Sequence, residues 1–188
     1  MSLERPLSLL SGVRYGAVAR HVDERGAFRE LWRAGDDQPF VQANLSSSAV
    51  GVLRGLHLHR RQVDYWVVSA GRAFLALVDL RPLLDGSAHR PSVETRELGA
   101  DDWVVIPEGV AHGFMALEPL ELLYLVTNFY DGSDELGVAW DDPAVAITWP
   151  GGPAKNDGRP IVSERDATNP RLTDLVARLR AEDRPGPA

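Results

Sequence analysis

Short apolar segments separated by turn residues dominate the middle of this 188-residue chain. The segments 73–79 and 120–130 are rich in strand-forming residues and lack the 3.6-residue stripe of a helix. Turn-forming residues recur about every ten to fifteen positions, which suits an antiparallel sandwich or barrel rather than strand–helix–strand units. The second segment places four side chains on one face: Leu122, Tyr124, Val126 and Asn128. The pattern therefore predicts a mainly β fold with Tyr124 pointing inward.

The pattern changes to a helical one near the C-terminus. Asn169-Pro170 has the form of a helix N-cap followed by a first-turn proline. Apolar residues then recur at helical intervals, at Leu172, Leu175, Val176 and Leu179. We therefore expect a single domain over residues 1–188, with a β core at about 20–150 and a C-terminal loop and helix at 151–183.

Composition excludes several classes of function. The chain has no cysteine, so a disulfide framework, a thiolate nucleophile and a cysteine-based zinc site are excluded. The net charge of -7 argues against a nucleic-acid partner, because binding a phosphate backbone draws on clustered cations. The N-terminus lacks the order of a signal peptide, and no apolar run is long enough to span a membrane. We expect a soluble cytoplasmic protein.

Three of the five histidines lie in two strand-like segments bounded by turns. His57 and His59 follow Gly51-Val-Leu-Arg-Gly-Leu, and His112 follows Ile106-Pro-Glu-Gly-Val-Ala. Side chains two residues apart on a strand point to the same face, so His57 and His59 are predicted to share one. We therefore expect the three histidines to line one pocket.

The residues of these two segments resemble the motifs of one known family. Val52-Leu-Arg-Gly-Leu-His57 and Ile106-Pro-Glu-Gly-Val-Ala-His-Gly-Phe114 resemble motifs of the dTDP-4-dehydrorhamnose 3,5-epimerase family, and the resemblance runs from Asp23 to Asp166. It implies a cupin-type jelly-roll barrel of antiparallel strands with a C-terminal helix. It also implies epimerisation of a nucleotide-linked 4-keto-6-deoxy sugar without a metal or another cofactor.

Epimerisation beside a ketone requires a base, a group that stabilises the enolate, and an acid on the opposite face. The resemblance assigns the base to His57, in Arg-Gly-Leu-His, and its carboxylate partner to Asp166, in Val-Ser-Glu-Arg-Asp. It assigns the acid to Tyr124, at the end of Glu-Leu-Leu-Tyr. The strand pattern agrees, because it places Tyr124 on the face that Leu122 and Val126 share.

Ligand-binding residues carry over from the same resemblance. Arg25, in Asp-Glu-Arg-Gly-Ala-Phe, corresponds to an arginine that reaches the nucleotide phosphate, often from a neighbouring subunit. The resemblance thus implies a homodimer whose substrate is a dTDP-4-keto-6-deoxyhexose or a similar nucleotide sugar. The residues expected to bind it are Arg25, Phe28, Glu30, Gln42, Asn44, Arg54, His59, Asp64, His112, Tyr130 and Glu135.

One position departs from the family pattern. Family members usually carry a lysine shortly after the base, which helps to stabilise the enolate oxygen, and Asp64 stands there instead. Lys155, the only lysine, lies in the late loop, and the family's glutamine two residues after the base is His59. Because an ionised carboxylate would repel an enolate, we expect Asp64 to pair with His59 or an arginine and the reaction to be narrower than double epimerisation.

Two other functions fit the same residues. His57, His59, Asp64 and His112 match the ligand spacing of metal-dependent cupins and would supply three imidazoles and a carboxylate for Fe, Mn, Ni or Zn. A non-catalytic nucleotide-sugar binding protein could have kept the pocket and lost the lysine. The extent of the motif match favours acid–base epimerisation, for which we expect no bound metal.

Overall fold

The computed structural model describes residues 7–35, 39–152 and 156–184, so Lys155 lies outside the described residues. In chain order the elements are β1 (Arg14–Ala17), β2 (Arg20–Asp23), β3 (Gly26–Arg29), β4 (Gln42–Ser48), β5 (Val52–Leu58), β6 (Asp64–Ala70), β7 (Arg72–Asp79), α1 (Arg81–Leu84), β8 (Ser92–Gly99), β9 (Asp102–Ile106), β10 (Val110–Ala116), β11 (Leu120–Val126), β12 (Leu136–Gly137), β13 (Ile161–Val162), α2 (Glu164–Ala167) and α3 (Leu172–Glu182). No helix in the described ranges is long and apolar enough to cross a lipid bilayer.

Two sheets pack face to face. The first has the strand order β1-β9-β6-β11-β4, and the second has the order β12-β5-β10-β7-β8. Strand β13 adds to β5 in parallel, while the neighbouring pairs within the two orders are antiparallel. Strands β2 and β3 form a separate hairpin. The mainly β jelly-roll fold expected from the sequence is confirmed.

Strand β7 explains how the second sheet is buried on both sides. Leu75 and Leu77 pack into the core between the sheets, whereas Ala76 and Val78 pack into a second apolar cluster with Leu175 of α3. Alternate residues of a strand point to opposite faces, so a strand covered on both faces reads as a continuous apolar run. The second sheet is therefore a middle layer between the first sheet and α3.

Helix α3 has the predicted apolar face, but its N-cap is a different residue from the predicted one. Leu172, Leu175 and Leu179 are each at most 4% exposed. The predicted N-cap at Asn169 is wrong, because the N-cap residue is Arg171 and its side chain makes no capping bond. The first free amide of the helix is satisfied from elsewhere in the chain.

The side chain of Asp142 accepts a hydrogen bond from this amide. The backbone N–H of Leu172 donates to Asp142 Oδ2 at 2.6 Å, and the Asp142 side chain is buried. The carboxylate of Asp142 thus holds the start of α3 against the preceding loop. A cap supplied from thirty residues upstream leaves no local sequence signal.

The predicted face of segment 120–130 holds for β11 only as far as Val126. Asn128 does not continue that face, because the strand ends two residues earlier. The Asn128 side-chain amide instead donates to the carbonyl of Arg61 at 3.0 Å. Leu122 and Tyr124 do face the interior, in the cluster between the sheets.

Candidate active site

A cavity of about 420 Å³ opens between the two sheets. Strands β4, β6 and β11 of the first sheet form one wall, and β5 and β10 of the second sheet form the other. Its lining residues are Gln42, Asn44, Ser46, Arg54, His57, His59, Gln62, Asp64, Trp66, His112, Phe114, Leu122, Tyr124, Val126, Tyr130, Glu135 and Arg165. The fold thus brings together most of the residues that the sequence predicts for the site, including all three histidines.

His57 lies on the second-sheet wall and is paired with Asp166. Its Nε2 lies 2.8 Å from Asp166 Oδ1, and the His57 side chain is 26% exposed toward the cavity. A carboxylate in this position accepts the bond, so Nε2 carries the ring proton and Nδ1 keeps its lone pair. The atom able to take a proton from a ligand is therefore His57 Nδ1.

The short strand β13 explains how Asp166 reaches a histidine 109 residues earlier. Ile161 and Val162 pair with Val52 and Leu53 at the start of β5, which fixes the next residues beside that strand. Ser163 is the N-cap of α2, and its hydroxyl accepts a bond from the Asp166 backbone N–H. This turn aims the Asp166 side chain at β5.

The ionised form of Asp166 is stabilised in its buried position. Burial raises the pKa of this carboxyl, but the hydrogen bond and charge of His57, the backbone N–H of Gly55 and the charge of Arg165 lower it more, so the net pKa lies below its ordinary value. The Gly55 N–H donates to Asp166 Oδ2 at 3.2 Å. The carboxylate therefore remains an acceptor that orients His57.

Tyr124 lies on the opposite wall, in the first sheet. It is half-buried, and burial raises the pKa of its phenol, while the charge of Arg54 lowers that pKa and those of Asp64 and Glu135 raise it further. No described residue makes a hydrogen bond to its hydroxyl. The hydroxyl is therefore protonated near neutral pH and free to donate to a ligand.

Polar side chains surround the mouth of the cavity. The Gln42 side-chain amide donates to Asn44 Oδ1 at 2.9 Å, and its oxygen accepts a bond from the backbone N–H of Tyr130 at 3.1 Å. Arg54 donates through Nε to the hydroxyl of Ser48 at 3.1 Å. These bonds hold the predicted ligand-binding residues in two groups, one of Gln42, Asn44 and Tyr130 and one of Arg54 with Ser48.

The cavity also contains residues that the sequence analysis missed. Arg165 forms an ion pair with Glu135, and nothing in the sequence pattern distinguishes it from a surface arginine. Ser46 continues the alternation of inward residues on β4, and Gln62 lies two residues before Asp64. Period-two spacing is the signal that could have identified both.

His59, Asp64 and His112 form a buried cluster at one end of the cavity. They are 7%, 4% and 3% exposed, and one potential metal-ligating atom of each lies within 4.8 Å of the others. His59 Nδ1 donates to the carbonyl of Asp134 at 2.8 Å, and His112 Nδ1 donates to the carbonyl of Val110 at 3.0 Å. Burial lowers the pKa of His112 to about 4, so its ring is neutral at pH 7.

The partners of Asp64 differ from the prediction. Asp64 Oδ1 accepts a bond from the Gln62 amide at 2.7 Å, and Oδ2 accepts one from Trp66 Nε1 at 3.0 Å. The nearest histidine is His112, whose Nε2 lies 3.6 Å from Oδ2. The expected pairing with His59 or an arginine is wrong, because two neutral donors, Gln62 in the loop before β6 and Trp66 on β6, bond to the carboxylate.

His57 is not part of this cluster. Its Nε2 is engaged by Asp166, so the four-ligand arrangement considered from the sequence reduces to three residues in the described part of the chain. The base candidate and the buried cluster are therefore separate features of one cavity.

Arg25, Phe28 and Glu30 lie outside the cavity of their own chain. Arg25 is in the turn between β2 and β3, where its side chain is 85% exposed and paired with Asp23. Phe28 and Glu30 line a second cavity, of about 650 Å³, beside the outer side of the first sheet. Any contact of these three residues with a ligand in the first cavity would have to be made in another copy of the chain.

Comparison with known proteins decides the family. The model for dTDP-4-dehydrorhamnose 3,5-epimerase matches residues 8–174. This chain belongs to the dTDP-4-dehydrorhamnose 3,5-epimerase family. The epimerase of that name from Pseudomonas aeruginosa is 37% identical over 166 residues, which cover 81% of this chain and 86% of the relative. The resemblance inferred from the motifs is thus confirmed.

Two further relatives of the epimerase family bear on function. The spore coat polysaccharide biosynthesis protein SpsL of Bacillus subtilis is 34% identical over 149 residues, covering 75% of this chain and 97% of that protein. The structure of the Legionella pneumophila 3,5-epimerase in complex with dTDP-4-keto-L-rhamnose aligns with a TM-score of 0.77 and 30% identity, covering 92% of this chain and 94% of that one. These relatives connect the fold to dTDP-sugars and to polysaccharide biosynthesis.

Proposed function

We propose that this protein epimerises a dTDP-linked 4-keto-6-deoxyhexose at C3, C5 or both, with His57 as the base and Tyr124 as the acid. The observation that carries the proposal is their placement on facing walls of one cavity, His57 in the second sheet and Tyr124 in the first. Epimerisation removes a proton from one face of a carbon and returns one to the other, so it needs such a pair. The ligand named for the Legionella relative supports this class of substrate.

The proton transfers follow from the hydrogen bonds. His57 Nδ1 takes the proton from the carbon beside the ketone, and the electrons of that C–H bond move onto the ketone oxygen as an enolate. Asp166 stabilises the resulting imidazolium through the bond to Nε2. The enolate electrons then re-form the ketone as the carbon takes the Tyr124 proton on its opposite face. The imidazolium of His57 loses its extra proton to solvent, and the phenolate regains one from solvent.

Arg54 provides positive charge near the reacting atoms. It lines the same cavity, and its charge lowers the pKa of Tyr124, so its field reaches the phenol. A guanidinium donates several hydrogen bonds in a fixed plane and keeps its charge at any relevant pH. We assign it to binding the ligand and to stabilising the tyrosinate during reprotonation.

The test is incorporation of solvent deuterium into dTDP-4-keto-6-deoxyglucose, followed by NMR and mass spectrometry. The wild-type protein should introduce deuterium at the epimerised carbon and yield the inverted sugar. Tyr124→Phe should keep deuterium exchange but lose inversion by about a hundredfold, because only the second proton transfer is removed. A protein that binds dTDP and exchanges no proton is a binding protein, and that result would contradict the proposal.

We also infer a homodimer in which the β2–β3 hairpin reaches a partner. The hairpin pairs with no other strand of the described chain, and Val22 and Phe28 on it are 71% and 67% exposed. Arg25 at its tip presents a guanidinium suited to the phosphates of a nucleotide bound in the partner's cavity. Cytoplasmic location stays a prediction, to be checked by fractionating cells.

A further inference from the structure

The buried cluster of His59, Asp64 and His112 presents three acceptors to one point in the cavity. Each imidazole uses its Nδ1–H to donate to a backbone carbonyl, so the lone pair of each Nε2 is directed elsewhere. No described residue donates a hydrogen bond to either Nε2. The Asp64 side chain, which is 4% exposed, brings its carboxyl oxygens to the same place.

Moving the ring proton of His112 from one nitrogen to the other does not give both nitrogens a suitable partner. With the proton on Nδ1, the Nε2 lone pair faces Asp64 Oδ2 at 3.6 Å. With the proton on Nε2, the Nδ1 lone pair faces the Val110 carbonyl at 3.0 Å. A cation placed between Nε2 and Asp64 would face both the Nε2 lone pair and Oδ2 while the Nδ1–H bond to Val110 is kept.

We propose that His59 and His112, through Nε2, and Asp64, through its carboxylate, bind one divalent first-row transition-metal ion. Their ligand atoms lie within 4.8 Å of one another, and an ion about 2.0–2.2 Å from each would draw them together by small side-chain rotations. Two imidazoles and one carboxylate form a facial set that leaves positions open to a ligand. Neutral imidazole and carboxylate are the protonation states that such an ion requires.

The surroundings of the cluster are those of a supported metal site. Metal-ligating histidines commonly donate their second N–H to a backbone carbonyl, and ligating carboxylates are themselves hydrogen-bonded. Both histidines make that bond, to Asp134 and Val110. Both oxygens of Asp64 accept one, from Gln62 and Trp66. Each proposed ligand is thus held by a partner that leaves its coordinating lone pair free.

The position of the cluster suggests the role of the ion in the reaction, and this role rests on the proposed function. The cluster lines the same cavity as His57 and Tyr124, where proton removal places negative charge on the ketone oxygen. A carboxylate and two imidazole lone pairs would repel that oxygen, whereas an ion held by them would attract it. The inference revises the expectation of no metal and leaves His57 free to act as the base.

The site is tested by metal titration of tag-free full-length protein that has been dialysed against a chelator. We expect one Zn²⁺ per chain by calorimetry, and one Co²⁺ with visible absorption bands of nitrogen and oxygen ligation. His59→Asn and Asp64→Asn should each weaken Zn²⁺ binding by at least about a hundredfold. His57→Asn and the surface variant His89→Asn should bind Zn²⁺ as the wild type does.

Folding and activity are measured separately from binding. Thermal melts without metal show whether a variant is folded, and Trp66→Phe, which removes one donor to Asp64, provides a milder change if a ligand variant unfolds. Absence of stoichiometric binding, or equal affinity in His59→Asn, Asp64→Asn and wild type, would overturn the site. His57→Asn lacks the proposed base but keeps the three proposed ligands. Its metal affinity can therefore be interpreted even if the epimerase proposal fails.

The role of the ion in the reaction is tested separately from its binding. Chelation should slow solvent-deuterium exchange into the dTDP-sugar by at least about tenfold, and equimolar Zn²⁺ or Co²⁺ should restore it. Unchanged exchange in the chelated protein, with metal binding intact in the titration, would overturn the assigned role in the reaction.

Discussion

The position of the ring proton on His57 depends on Asp166. Replacing Asp166 by Asn should slow deuterium exchange by about a hundredfold or more. The amide would donate to Nε2, which moves the ring proton to Nδ1, the atom that must accept the substrate proton. The dTDP affinity should be unchanged, because the base does not contact the nucleotide in this account. Exchange at the wild-type rate in the variant would remove the orienting role from Asp166.

The same carboxylate makes stability depend on acid pH. Its folded pKa lies below the ordinary value of 3.8, so its ionised form stabilises the fold above that value. This contribution is lost as pH falls through the folded pKa. Between about pH 5 and about pH 3, the wild type should therefore lose more free energy of unfolding than Asp166→Asn. Urea unfolding at both pH values measures the difference, and equal losses would contradict it.

The motifs predicted which single residues share a site. His57, Asp166 and Tyr124 were identified from short motifs, and all three meet at or beside one cavity. The partners of Asp64 were not predicted, because the donors Gln62 and Trp66 carry no signal apart from their spacing. Which donors reach a side chain depends on the direction in which each side chain points, and that direction is fixed only when the strands pair.

At the scale of elements, strands β5 and β10 approach unusually closely beside the base. Gly55 has a φ of +128°, and a Cβ there would lie 2.6 Å from Gly113 Cα and 2.8 Å from the carbonyl oxygen of His112. Both obstacles are backbone atoms, which cannot rotate away. Glycine is therefore required where the strand that carries His57 pairs with β10 at an irregularity of the antiparallel register.

Gly55→Ala should lower the free energy of unfolding by more than about 2 kcal/mol, from backbone strain and overpacking together. It should also slow exchange, because the Gly55 N–H donates to Asp166. Gly99→Ala is the matched control, since the nearest atom to a Cβ there lies at 4.0 Å. Chemical denaturation measures the free energy of unfolding of both variants, and equal stability would show that the close approach of β5 and β10 does not require glycine at position 55.

Elements with strong periodicity were predicted well, and those held by distant contacts were not. The apolar stripe of α3 was visible as Leu172, Leu175 and Leu179. Its cap was misplaced because Asp142 supplies the bond from another loop. The two-residue strand β13, which delivers Asp166, is too short for any periodicity to indicate it.

At the scale of the whole molecule, the proposed homodimer predicts the effect of a change on the β2–β3 hairpin. Phe28→Asp should weaken self-association at least about tenfold, because it places a charge on an apolar surface that is 67% exposed in the single chain. Thr173→Asp, on the exposed side of α3, should leave association unchanged. Sedimentation velocity over a range of concentrations measures this. A monomeric wild type with full activity would contradict the shared site.

The fold class was predictable from alternation and turn spacing, and the family from motifs. The family resemblance implied that Arg25 reaches a ligand from a neighbouring subunit, and the structure places Arg25, Phe28 and Glu30 outside their own chain's cavity. Alternation and turn spacing alone give no sign of which copy of the chain such residues serve.

The most direct measurement is the rate of solvent-deuterium incorporation into dTDP-4-keto-6-deoxyglucose by wild type and by His57→Asn, with dTDP affinity measured in parallel. We expect the variant to bind dTDP as the wild type does and to exchange at least about a hundredfold more slowly, because the base is gone. Exchange by the variant at the wild-type rate, with dTDP bound normally, would contradict the assignment of His57 as the base.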